Sequence, residues 1–411
     1  MSQPPGPTRF VASHAAHNDW RVALQRALDT LLHDARVATV HAFERTGETL
    51  EFSLGLCYLT DHFAVEAEHI LAALQHRLPG VHWAGTVGVG VLASGAEHFD
   101  EAALALMLAP LPRRSFRVFS GRQPLRAYSG DFHPHTALVH ADGRTPDLQE
   151  LLPELAERTA GGYLFGGLTA SRGRSVQIAD AVFDGGGLSG VAFAAEIGVV
   201  SRVTQGCRPI GPRRVVSRVQ DNLVLSLDGR AALDCAMADL GLPPDMAFEP
   251  VAQALANTLA GVHPAEDDGA QEEGDFGADM LVRHIVGMDP GAGLVAIADA
   301  DAVTKGASLV FCRRDPQTAL ADLQRAAREI RDALVDSGRV ALGAVYVSCS
   351  GRGQRHFGAP AAESGVIRDV LGDLPMVGFF AGGEIARNRL YGYTGVLTVF
   401  TAPAGRSGAP R

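Results

Sequence analysis

Residues 348–358 read SCSGRGQRHFG and follow the apolar run VALGAVYV. A strand therefore delivers a thiol, Cys349, between the hydroxyls of Ser348 and Ser350, and then Arg352, Arg355 and His356 among Gly351, Gly353 and Gly358. The glycines permit backbone angles at which successive N–H groups face one concavity, and Arg352 or Arg355 adds a planar fork for a carboxylate. Further on, LPMVGFFAGGEI puts Glu384 just after the Gly382-Gly383 turn, where an acid can take an ammonium group. A carboxylate clamp and an ammonium acceptor are the two poles that a free amino acid requires. The same residues have two other uses. Arg352 can pair internally with Glu384 or Glu363, leaving the glycines only to turn the chain. Alternatively Cys349, activated by His356 and oriented by Glu363 or Glu384, makes an acyl-transfer nucleophile.

Other candidate stations carry less. Gly88, Gly90 and Ala93 in GVGVLA follow the strand-like VHWAGT, but LPRRSFRVFS lacks the ribose-binding acid that a dinucleotide turn needs. His133, His135 and His140 have imidazole spacing without accompanying carboxylates, and Pro134 marks a loop before the strand TALVH, so no metal is expected. His62, Glu66 and His69 lie along one helix and read as a solvated face. The single lysine, Lys305, sits in the turn DAVTKGASLV, which leaves Schiff-base chemistry one candidate, and no GxxxxGK[ST] loop exists. No cofactor is expected.

The chain that must position these residues has 411 of them, enough for two domains or one large duplicated one. Hydrophobic residues make up 46% and charged residues 20%, which is ordinary for a globular protein with ample core. A net charge of -10, with no basic cluster beyond Arg213-Arg214 and Arg313-Arg314, argues against nucleic acid. No segment has the apolar length of a membrane helix, and the N-terminal MSQPPGPTRF has no apolar run of signal-peptide length. Cys57, Cys207, Cys235, Cys312 and Cys349 are scattered without CxxC spacing, as in a reduced, cytoplasmic protein.

Hydrophobic periodicity alternates element types. NDWRVALQRALDTLLHDA reads as a helix capped by Asn18, ETLEFSLGLCYLT as a strand, and DHFAVEAEHILAALQHRLPG as a helix stopped at Pro79-Gly80. VHWAGTVGVGVLAS reads as one or two strands around a glycine turn. PDLQELLPELAERTA is a helix with Pro146 at its first position. A β-rich middle of short alternating strands follows, then helices at GRAALDCAMADLG, residues 316–338 and AAESGVIRDVLG, with strands between. HPAEDDGAQEEGDFG reads as a solvated acidic loop. EFSLGLCYLT to VLAS and VALGAVYVSCS to TGVLTVF share one order: strand, polar loop, helix, Leu-Pro, strand, glycine turn. An internal duplication is inferred. The expected class is α+β: two related mixed α/β modules with β-rich, largely antiparallel central structure.

GCRPIGPRRVVSRVQDNLVLSLDGRAALD, HIVGMDPGAG, SCSGRGQRHFG, GFFAGGEI and the closing apolar strand, in that order, resemble the FIST family of intracellular signal-transduction sensory domains. The resemblance implies a first helix and extension at 1–29, an N-terminal module at 30–230, a C-terminal module at 231–402 and a flexible tail at 403–411. It also implies binding of a small ligand such as an amino acid. The family's C-G-R-G-like loop falls on Cys349, Gly351, Arg352 and Gly353, and its GF-x-x-x-GE phrase on Gly378, Phe379, Gly383 and Glu384. With Ser350, Gly358 and Glu363 these make the expected ligand site. In the first module the matching place, WAGTVGVGVLAS, has no acid. The chain holds no kinase, cyclase, receptor or F-box segment, so output is expected through a separate signalling protein or through oligomerisation. A thiol enzyme using Cys349, or a ligand-free interaction scaffold, are the alternatives.

Overall fold

The strand–helix–strand unit that the sequence shows twice occurs three times, in three six-stranded sheets. The structure is a computed structural model and describes residues 9–47, 49–126, 130–263, 280–298 and 303–404. Two compact units are present: the described residues through Thr204, Leu320–Leu390 and from Thr394 onward form the first, and Gln205–Ala319 with Tyr391–Tyr393 the second.

The first repeat comprises β1 (Val11–Ala16), α1 (Trp20–Thr46), β2 (Leu54–Thr60), α2 (Ala67–Arg77), β3 (His82–Gly88), β4 (Gly90–Ala93), β5 (Ala96–Phe99) and β6 (Ala103–Ala109). The second comprises β7 (Phe116–Ser120), β8 (Thr136–Ala141), α3 (Leu148–Glu157), β9 (Tyr163–Leu168), β10 (Gln177–Ala179), β11 (Val182–Phe183) and β12 (Leu188–Phe193). The third opens with β13 (Gly198–Thr204). The chain then leaves for the second unit through β14 (Cys207–Pro209), β15 (Arg214–Gln220), β16 (Leu223–Leu227), β17 (Arg230–Ala231), α4 (Ala232–Leu240), α5 (Phe248–Ala256), β18 (Leu259–His263), β19 (Leu281–Asp289), β20 (Leu294–Ile297) and β21 (Ser308–Arg314). It completes the third repeat with α6 (Pro316–Asp336), β22 (Arg339–Cys349), α7 (Gln354–Phe357), α8 (Ala362–Leu371), β23 (Met376–Ala381), β24 (Glu384–Arg387), β25 (Arg389–Tyr391) and β26 (Gly395–Pro403).

The sheets run β1-β6-β2-β3-β10-β11, β7-β12-β8-β9-β24-β25 and β13-β26-β22-β23-β4-β5. Each has the same plan. Its parallel pair (β2/β3, β8/β9 or β22/β23) lies between antiparallel neighbours, and its last two strands come from another repeat. The first repeat lends β4 and β5 to the third, the third lends β24 and β25 to the second, and the second lends β10 and β11 to the first. The exchange closes a ring.

One glycine recurs in each parallel pair. Gly85 lies opposite Cys57, Gly166 opposite Val139 and Gly378 opposite Tyr346. A Cβ there would stand 1.8, 1.9 or 1.7 Å from the facing carbonyl oxygen, so no larger residue fits. Where the sheets meet, the rings of Tyr58, His140 and Phe379 contact one another at centroid separations of 5.1 to 5.9 Å. Tyr58 Oη and His140 Nε2 are 3.2 Å apart, and burial pushes the imidazole down to about 3 and the phenol up, so both stay neutral.

The second unit is antiparallel. β21-β15-β16-β20-β19-β18 closes back on β21 as a six-stranded barrel, with β14 extending β21 and β17 pairing with β16. Arg214 donates to both oxygens of Asp239, at 2.5 and 2.6 Å, tying α4 to β15.

The α+β class and the antiparallel β-rich centre follow the sequence reading. Local chemistry moved some boundaries. The cap of α1 is Asp19, whose side chain accepts from the Arg21 amide, in place of Asn18, and the helix runs on to Thr46. α3 begins at Leu148 behind Asp147, so Pro146 precedes the helix. Of the acidic stretch at 263–277 all but His263 lies outside the described residues, as does the tail beyond Ala404.

Gly378→Ala should destabilise the first unit by about 3 kcal/mol or more, because the methyl meets backbone and not a movable side chain. Gly358→Ala, at φ 75 with nothing nearby, should cost only about 1 kcal/mol. Denaturant titrations of the two variants test the contrast; equal losses would show that the close approach is not what the fold requires.

Candidate functional site

In β22 successive side chains alternate, so Tyr346 and Ser348 share one face while Val347 and Cys349 take the other. The hydroxyl face looks toward α8, whose second residue, Glu363, turns its carboxyl inward. Tyr346 Oη donates to Glu363 Oε1 at 2.5 Å, Ser348 Oγ to Oε2 at 2.9 Å, and Arg352 Nε to Oε1 at 2.9 Å. Arg352 Nη1 donates to Thr204 Oγ1 of β13 at 3.1 Å, and its guanidinium stands 5.5 Å over the Phe357 ring. Arg352 is 3% exposed and Glu363 fully buried. Burial alone would push the guanidinium down, but Glu363 first, with Tyr346, Cys349 and Glu384 behind it, more than offsets this and holds Arg352 above its ordinary value. Arg352 Nη2 is buried with no hydrogen-bond partner.

Glu384 begins β24 and is fully buried. Its Oε2 accepts from the Thr394 amide at 3.1 Å and the Thr394 hydroxyl at 2.6 Å, and the Cys349 thiol also donates to this carboxyl. Burial outweighs these bonds and the pull of Arg352, and raises Glu384 to about 8. At neutral pH the group is therefore mostly protonated. Its Oε1 has no partner.

A third acid arrives on the strands lent by the first repeat. Glu97 of β5 accepts the amides of Glu363 and Ser364 at 2.9 and 3.0 Å, closing the open first turn of α8. Burial first, and Glu363 second, raise it to about 7, and its Oε2 is buried without a partner.

Register shows why the cluster occurs once. Val91, Gln177 and Glu384 pair with Phe379, Thr86 and Gly167, each the residue after a close-approach glycine. The three positions are equivalent, and only the third carries an acid. Gln177 is satisfied by the Gly187 carbonyl and the Ser189 hydroxyl, and Val91 is core.

Among the residues expected from sequence, Cys349, Arg352, Glu363 and Glu384 come together. Ser350 donates its amide to Ala381 O at 2.7 Å, and Gly351 lies in the same turn. Gly353 precedes α7 at φ 80 against Phe380 and Phe99, and Gly358 ends α7 in the left-handed region on the surface. Gly378 serves strand approach, Phe379 the centre of the sheets, and Gly383 accepts the Leu168 amide through its carbonyl at 2.8 Å. Arg355 is exposed and pairs with Asp100 at 2.7 Å, so Arg352 is the buried fork. The ring of His356 contacts Phe357 at 4.8 Å. Sequence reasoning does not reach Thr204, Glu97, Tyr346, Ser348 and Thr394. The alternation in AVYVS could have given Tyr346 and Ser348; the other three come from distant strands or a short turn.

Gly88 and Gly90 lie where the chain passes from β3 into β4, a strand-to-strand corner and not a strand-to-helix turn. His133 and His135 precede β8, and His140 is the core partner of Tyr58. Among the described residues no three His, Cys, Asp or Glu converge as a metal set, and no helix is long and apolar enough to cross a membrane.

The α+β chain, with this buried acid–arginine cluster at the end of one repeat's strands, matches a class of sensory domains of signal transduction that is thought to bind small ligands. Residues 53–230 match the FIST N domain and residues 233–387 the FIST C domain, and the chain belongs to the FIST family. It is similar to an uncharacterized protein of Mycobacterium tuberculosis, 31% identical over 350 residues, covering 82% of this chain and 88% of that one. It is also similar to an uncharacterized protein of Mycobacterium bovis, 30% identical over 402 residues, covering 89% and 96%.

Glu384→Gln tests the electrostatics. A carboxyl raised from 4.5 to about 8 by folding contributes stability that is present below about pH 4.5 and lost as pH rises through 8. The wild type should therefore lose stability between pH 5.5 and 8.5, by up to roughly 4 kcal/mol from this group. The glutamine variant should lose distinctly less, keeping the smaller slope from Glu97 and, below about pH 6.5 and in the opposite sense, that of the buried neutral His140. Melting curves across that range decide it; parallel slopes would mean Glu384 does not titrate there.

Proposed function

We propose that this protein is a small-ligand sensor whose ligand is an amino acid or similar small carboxylate, bound at the Arg352–Glu384 cluster, and that it signals through a separate protein in the cytoplasm. One observation carries the reading: Arg352 Nη2 and Glu384 Oε1 are both buried and unpartnered, and the two side chains feel each other's charge. Buried polar atoms without partners are uncommon in folded proteins and cost about 1–3 kcal/mol each, so a ligand that satisfies them gains that energy back.

The roles follow from the two charge states. Arg352 keeps its charge at all accessible pH and offers Nη2 to a carboxylate, while Glu363 and Thr204 hold the fork in place. Glu384 takes the ammonium group by giving up its proton, which at pH 7 costs about 1.4 kcal/mol from a starting value of about 8. Ligand uptake thus releases a proton. The thiol-enzyme alternative has less support, because Cys349 is buried and donates to a carboxyl that at neutral pH is mostly in its protonated form and so seldom able to take the thiol proton.

A thermal-shift screen of amino acids, organic acids and nucleotides on the purified protein should give its hits among the amino acids. For such a hit, affinity should rise between pH 6 and 8 by up to about tenfold per unit, with proton release in calorimetry, and Glu384→Gln should abolish both. Arg352→Lys should cost about 1–3 kcal/mol of binding. Hits confined to nucleotides, or amino-acid binding untouched by either variant, would overturn the assignment.

A further inference from the structure

The three repeats differ in one covering element. In the first, α1 joins β1 to β2, and Leu24, Leu28 and Leu31 share a buried core with Val11 and Ala15 of β1 and Leu106 and Leu108 of β6. In the third, α6 enters β22, and Leu323, Ala327 and Ile330 share a core with Leu397 and Val399 of β26, beside Val200 of β13. Both helices thus cover the edge strand and its neighbour, next to the helix of the parallel crossover. The second repeat has no such helix. Among the described residues, 121–126 and 130–135 between β7 and β8 carry no helix, and α3 is the repeat's only one.

A hollow lies at the equivalent place. Phe119 of β7, Pro124, Leu125, Leu151 and Leu155 of α3, and Leu188 of β12 line about 220 Å³. Leu151 and Leu188 are only half-buried. The volume is below the about 300–1,000 Å³ of small-molecule sites and suits the apolar side chains of a docking element. The one acid in its lining, Glu154, is already paired with Arg158. The neighbouring hollow, about 380 Å³ across Pro124 and Leu125, has Arg117, Arg122 and Arg126 in its lining and no acid.

We infer that this groove on the second repeat docks an amphipathic, acidic-flanked helix of a partner protein, which takes the place that α1 and α6 hold over the sister sheets. The sister repeats set the occupant's shape: a helix with apolar residues at i, i+3, i+4 and i+7 laid beside the crossover helix. The arginines set its charge, since a basic rim favours an acidic flank and raises the association rate. The inference is independent of the Arg352–Glu384 cluster, and failure of either leaves the other standing.

The test selects on the full-length protein with a displayed library of amphipathic helical peptides whose flanks vary from acidic to basic. The pool should converge on an apolar helical stripe with an acidic flank. Synthesised winners should lose more than about tenfold in affinity for Leu151→Glu and for the surface double variant Arg122→Glu/Arg126→Glu. Both variants should melt within a few degrees of the wild type, and the surface arginines keep the test sound should Leu151→Glu misfold. Convergence on basic or extended peptides, no convergence, or winners that bind the arginine variant as tightly as the wild type would each overturn the proposal. So would a wild-type dimer that the arginine variant dissociates, because the occupant would then be a second copy.

Discussion

No sheet of the first unit is complete without strands from another repeat. That constraint governs everything else in it. Because β4 and β5 leave the first repeat to finish the third sheet, Glu97 reaches the first turn of α8, some 266 positions along the chain. Because β24 leaves the third repeat to finish the second sheet, Glu384 is carried into a fully buried register opposite Gly167. The glycines at 85, 166 and 378 let the parallel strands approach closely enough for this weave. The two family matches, 53–230 and 233–387, therefore meet inside the second unit, while the third sheet draws strands from both.

Burial is what turns ordinary residues into a poised site. Arg352 and Glu363 give up hydration that their mutual attraction and the Tyr346, Ser348 and Thr204 bonds must repay, so the pair is a weak source of stability. Glu384 and Glu97 go further: each is raised to about 8 or 7 by the cost of holding a charge away from water, and each keeps one oxygen unpartnered. Such uncompensated polarity is destabilising, and the proposed ligand would supply here what the fold does not.

Much of this was legible in the sequence, because it rests on local pattern. The strand into Cys349, the glycine turn before Glu384 and the chance of an internal Arg352–Glu363 pair all follow from VALGAVYVSCSGRG and GFFAGGEI. The matched modules at 54–88 and 339–381 announce themselves through Leu78-Pro79 and Leu374-Pro375 before the second strand. In the repeat at 136–168 the Leu-Pro dipeptide, Leu152-Pro153, falls inside α3 and not just before the second strand, and residues 169–176 lengthen its glycine corner, so its likeness shows best in the close-approach glycine common to WAGTV, LFGGL and MVGFF. Thr204 and Glu97 were beyond reach for a different reason. Their roles depend on which sheet a strand joins, and strand exchange leaves no mark on spacing or composition.

Three repeats of one strand plan that are nonetheless unequal invite reading function from the inequalities. The repeats agree in parallel crossover, close-approach glycine and lent strands, and these agreements serve the fold. Among the described residues they disagree at three places: only the third carries an acid at the Glu384 position, only the third is interrupted by a barrel, and only the second lacks a helix over its outer strands. A fold that needed only to be stable would have no use for a buried carboxyl where Val91 suffices, nor for an apolar hollow where α1 and α6 show how to fill it. Each departure costs stability locally, by desolvation at Glu384 and by uncovered leucines at 151 and 188. Those costs fall at two separate places, the one proposed for a small polar ligand and the other for a partner helix. That is the arrangement a protein needs if sensing and output are to be different contacts.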